Sequence, residues 1–141
     1  MPGSTRSGRT LENLIGPVLV SNGYTYIAQK EIGLSLGGKK HRVDALITLP
    51  SGLHVPLSLK WQEVSGTAEE KVPYEVIKLI YAVKQSAGQY PYAYLVLAGE
   101  GWSSIKNFYL QGGLKDYIID CEIVRIITLD AFITRANRKT V

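Results

Sequence analysis

At 141 residues, with 45% hydrophobic and 20% charged residues, the chain has the length and balance of one globular domain and leaves no room for a separate recognition module. A net charge of +4 favours a polyanionic partner. The lone Cys121 excludes a disulfide framework or a cysteine zinc site, and the absence of a signal-like or membrane-length apolar run predicts a protein of the reducing cytoplasm.

Residues 1–9 are polar and basic, with Arg6 and Arg9, and predict a flexible arm ahead of a single domain over 10–141. From Thr10, Leu11, Leu14, Ile15, Val18 and Leu19 recur at helical spacing, with Pro17 as a kink and Asn22-Gly23 as a stop. Glu12 is the only acid on that helix. A short strand over Tyr24–Gln29 is followed by a glycine-containing turn ending in Lys39, Lys40, His41 and Arg42, with His41 expected at the surface. Two strands follow, Val43–Leu49 and Leu53–Lys60, broken at Pro50-Ser51-Gly52; Pro56 predicts an edge or a bulge. Alternation puts Ser58, Lys60 and Gln62 on one face and Leu57, Leu59 and Trp61 on the other.

Asp44 and Lys60 are the charged exceptions within these two apolar strands. Pairing across the turn brings them toward each other, as a buried ion pair or as the parts of a metal-dependent phosphodiesterase, the acid holding the cation and the lysine orienting the water or stabilising developing charge. An Asp on one strand and a lysine closing the next resembles the PD-(D/E)XK nuclease superfamily, in which the metal-binding Asp precedes an acid-X-Lys triplet. Here the triplet reads Ser58-Leu59-Lys60, so its acid is missing. The resemblance implies an α/β fold with a restriction-endonuclease-like mixed central sheet flanked by helices. It also implies a Mg²⁺ or Mn²⁺ cofactor, DNA as partner and a homodimer or higher homo-oligomer. Asp44 and Lys60 become catalytic residues, and Lys39, Lys40 and Arg42 are placed to contact DNA. Some members with serine in the triplet recruit a glutamate from the following helix. Glu75 is the matching candidate, with Glu12 and the neutral ligand Gln62 as the others.

Beyond Gln62, a polar loop containing Glu69 and Glu70 leads to a helix from Pro73 to about Ala87, which would put Glu75 in its first turn. Strands over Pro91–Leu97 and Ile118–Thr128 bracket a helix from Ser103 to about Leu110, and Asp130–Asn137 forms a last helix. The order is αβββαβαβα. GLSLGGKK at Gly33–Lys40 is no phosphate loop, since no apolar helix follows it, and neither a histidine metal site nor a serine-nucleophile elbow is present. Tyr92 and Tyr94, at strand spacing, belong to sheet packing rather than base stacking. Two functions remain open: a metal-dependent DNA endonuclease, or a nuclease fold that binds nucleic acid without cutting it.

Overall fold

A computed structural model describes Arg6 and residues 8–141; most of the expected N-terminal arm lies outside the described residues, and Arg6, Gly8 and Arg9 have helical backbone. The apolar stripe that follows forms a π-helical segment, Leu11–Ile15, running directly into helix α1, Gly16–Ser21, with Pro17 in its first turn. The remaining elements are β1 (Thr25–Leu34), β2 (Lys40–Thr48), β3 (His54–Trp61), α2 (Ala68–Gln85), β4 (Ala93–Ala98), α3 (Ile105–Leu110), β5 (Val124–Thr128) and α4 (Leu129–Asn137). This is the expected order.

The five strands form one sheet in the order β1-β2-β3-β4-β5, antiparallel from β1 to β3 and parallel from β3 to β5. Gly52, at φ +92°, closes the β2–β3 turn in a conformation that a side chain would strain. The first parallel connection is made by α2, as a crossover requires. Both faces of the sheet are covered. Leu57, Leu59, Tyr94 and Val96 pack against Leu11, Ile15 and Phe132 on one side. On the other, Val43, Leu95 and Leu97 meet Val72, Val76 and Leu79 of α2. Every residue of β4 is buried, which explains its unbroken apolar run.

Four local expectations are corrected. β3 lies in the middle of the sheet, not at an edge. The His54 N–H turns away from β2 to bond Gln89 O, so the nitrogens of residues 54, 56 and 58 face β4; pairing there begins only at Leu57, and Pro56 breaks no ladder bond. β1 is longer than the predicted strand, and β5 is shorter, because Asp120 adopts φ +63° and a 3₁₀ turn occupies Cys121–Ile123. α2 starts at Ala68, so Glu69 and Glu70 form its first turn and Pro73 lies inside it.

Proline at position 73 cannot donate to the carbonyl of Glu69, four residues earlier. The Tyr109 hydroxyl from α3 donates to that oxygen instead, at 2.7 Å. Tyr109→Phe is therefore expected to cost about 1–2 kcal/mol, the price of leaving one acceptor without its partner. Chemical denaturation measures it, and an unchanged midpoint would show that water replaces the hydroxyl freely.

Candidate active site

β2 and β3 separate at the aspartate. Their paired register ends at Ala45↔Leu57, and at the next step the Leu59 N–H donates to the Asp44 carboxylate, 2.7 Å away, rather than to β2 backbone. Asp44 thus fills the fork between the two strands. On its other side is β1, where Gln29 stands between the pairs Ala28↔Ala45 and Lys30↔Val43 with φ +51°, an uncommon conformation for a side-chain-bearing residue. Burial pushes the Asp44 carboxyl above its usual range, and the charge of Glu75 pushes the same way. The Leu59 N–H, the Lys60 ammonium and the Gln29 amide oppose this without cancelling it.

Glu75 comes from the face of α2 that packs on the sheet, and it is 4% exposed. Ser58 Oγ donates to its Oε2 at 2.7 Å, and His41 Nε2 lies 3.4 Å from the same oxygen. Lys60 Nζ and Lys78 Nζ stand 3.7 and 3.2 Å from Oε1. Burial alone would raise this carboxyl. The His41 contact, the Lys60 charge, the Ser58 hydroxyl and the Lys78 charge outweigh it and hold Glu75 at about 2, ionised at any working pH. Asp44, Ser58, Lys60, Glu75 and Lys78 all line one open cleft of about 600 Å³.

A family model described as a PD-(D/E)XK nuclease superfamily domain matches residues 3–140. The chain belongs to this superfamily. The five-stranded mixed sheet with flanking helices is consistent with it. A crystal structure of a protein of unknown function, AF1548, shares 8% identity and superposes with a TM-score of 0.51, over 82% of this chain and 54% of that one. The chain thus spans about half the length of that neighbour, and the likeness concerns the fold alone. No curated protein sequence matches the chain.

Ser58, which the resemblance would put at the triplet's acid position, is the residue that bonds Glu75. The carboxylate reaches the cleft from the helix instead of from the strand. Gln62 also lines the cleft, but its amide is engaged on both sides, donating to Gly101 O at 2.9 Å and accepting from the Ala68 N–H at 2.9 Å. It fastens the start of α2 to the loop after β4. Glu12 is exposed and stands outside the described lining of the cleft, as do the exposed Lys39 and Lys40; of the basic run only Arg42 lines it.

His41 departs from expectation. β2 begins at Lys40, so alternation turns His41 inward, and it is 2% exposed instead of lying on the surface. Gln29 and Lys78 carry no expectation from the sequence, whereas Arg6 is expected only as part of the basic arm. Lys78 had a signal, its i+3 spacing from Glu75. Arg6 lines the cleft, pairs with Glu63 at 2.8 Å and lies 4.9 Å from the centroid of the Trp61 ring.

Among the described residues no group of three or more His, Cys, Asp and Glu side chains converges as a metal cage. Mg²⁺ needs less. It is commonly held by one or two carboxylates, with waters and phosphate oxygens completing the shell. The half-buried Asp44 and the buried Glu75, whose charges repel each other across one cleft, fit that donor set.

Proposed function

We propose that this superfamily member is a divalent-metal-dependent DNA endonuclease of restriction, homing or junction-resolving type. The observation that carries the proposal is the meeting of Ser58 with Glu75. A helix-borne carboxylate stands against the serine where the triplet acid would be, and Lys60 contacts that same carboxylate. Asp44 and Glu75 would hold Mg²⁺ or Mn²⁺. The bound cation would act as a Lewis acid toward the scissile phosphate and lower the pKa of an attacking water.

The residues around the two carboxylates then have separate tasks. The Leu59 N–H and Gln29 orient Asp44; Ser58 and His41 orient Glu75. Lys60, with a side chain 27% exposed, presents a fixed positive charge to the phosphorane as negative charge builds up. Arg42 and Lys71 on the cleft lining are placed for neighbouring phosphates, with Lys39 and Lys40 beyond it for more distant ones. One cleft cuts one strand, so double-strand cleavage calls for a symmetric pair of chains.

The raised carboxyl of Asp44 gives the reading a pH signature. Asp44 must be ionised to hold a cation, whereas Glu75 stays ionised to about pH 2. Mn²⁺ affinity is expected to fall on acidification from a pH above the ordinary aspartate range, as Asp44 takes up a proton. Titrations at successive pH values from 7 to 4 measure this; affinity that held down to pH 4 would detach Asp44 from the metal.

Plasmid, branched DNA and single strands incubated with the protein in Mg²⁺ or Mn²⁺, with the ends mapped, test the activity itself. The alternative, a nuclease fold that binds nucleic acid without cutting it, predicts binding with neither cleavage nor metal affinity. The ionised Glu75 at the Ser58 position favours the enzyme.

A further inference from the structure

The chemistry proposed above uses one lysine at Glu75, but two are present. Lys78 Nζ is nearer to Oε1 than Lys60 Nζ, at 3.2 against 3.7 Å, and its side chain is only 25% exposed. Its ammonium also lies 5.2 Å from the centroid of the Tyr74 ring. It is thus held between a buried carboxylate and an aromatic face, where a solvated surface lysine would be held by neither.

The charges of the cleft suggest what it is for. Asp44 and Glu75 bring two negative charges, and Lys60 and Lys78 bring two positive ones. His41 adds no negative charge in any form. Glu63, the remaining acid of the cleft, is engaged by Arg6 and by the Trp61 indole N–H. One divalent cation would be balanced by a phosphodiester and a deprotonated nucleophile, each carrying one negative charge. A second would leave two positive charges uncompensated beside Arg42 and Lys71, an expensive excess in a partly buried site.

We propose that Lys78 takes the place of a second metal ion: a tethered cation on Glu75 that restricts the cleft to one divalent ion. The inference rests on the reading of Asp44 and Glu75 as the metal carboxylates. It makes Lys78 a further determinant of the reaction, setting how many cations take part.

Mn²⁺ titration of the intact chain bound to an uncleavable DNA analogue, followed by the electron paramagnetic resonance of the free ion with a DNA-only blank subtracted, tests this. Wild type is expected to bind one Mn²⁺, Lys78→Met two, and Lys78→Arg one. The Mn²⁺ dependence of cleavage should change from first to second order in Lys78→Met only. Methionine keeps the alkyl stem against Tyr74; should that variant not fold, Lys78→Gln is measured in its place under the same criterion. Two ions on wild type, or one on the uncharged variant whatever its affinity, overturns the proposal while leaving the metal-nuclease reading intact. No Mn²⁺ on wild type overturns both.

Discussion

Lys60→Ala is expected to reduce cleavage by about 10²–10³-fold or more, the loss seen when one preorganised charge-stabilising donor is removed from a transition state. Its effect on folding should be small. Lys60 is partly exposed, and Glu75 keeps Ser58, His41 and Lys78 as partners, so the buried carboxylate is not left alone. DNA binding should also persist, because Arg42 and Lys71 stay in the cleft. The separation between these effects is the test. Nicking rates, a thermal melt and a DNA-binding isotherm on the same preparation distinguish a lost catalytic charge from a lost fold. Cleavage at the wild-type rate would remove Lys60 from the mechanism and leave it as an ion-pair partner of Glu75.

Much of this arrangement is legible in the sequence because the two strands of the hairpin are strongly apolar, so that a charge inside either one stands out. Asp44 and Lys60 are visible for that reason, and the order of elements follows from turn residues and periodicity. What stays hidden depends on contacts between distant segments. Pro73 reads as a helix start because proline favours that position; in the folded chain the helix begins at Ala68, and the Tyr109 hydroxyl from α3 satisfies the Glu69 carbonyl that Pro73 cannot. That shift moves Glu75 from the first turn to the second, on the face that packs against the sheet. It also removes the helix dipole as an explanation for the glutamate, since Glu69 and Glu70 occupy the first turn. His41 is hidden differently. Its neighbours Lys39, Lys40 and Arg42 make the segment look like a charged turn, while β1 pairs with it and fixes an alternation that composition alone does not show. Gln29 carries no local signal at all, since its conformation is visible only in the folded chain.

The second large effect is expected from moving the carboxylate. Glu75→Gln keeps the shape of the side chain and removes its charge, so Mg²⁺ affinity should fall at least about tenfold and cleavage by about 10²-fold or more, as for loss of a metal-site group. Ser58→Glu alone should not help. Ser58 is 2% exposed and its Oγ is 2.7 Å from the Glu75 carboxylate, so a glutamate there would meet the existing acid in both space and charge. The exchange is therefore best made as Ser58→Glu with Glu75→Ala, which empties the helix position as it fills the strand position. It restores the acid-X-Lys triplet of the superfamily while holding the number of carboxylates constant. Part of the metal affinity and part of the cleavage should return in this double variant, and neither in Glu75→Ala. Calorimetry with Mg²⁺ and plasmid nicking measure the two together. If Glu75→Gln cuts normally while Glu12→Gln does not, the second carboxylate comes from the first helix, and the contact between Ser58 and Glu75 is a structural hydrogen bond.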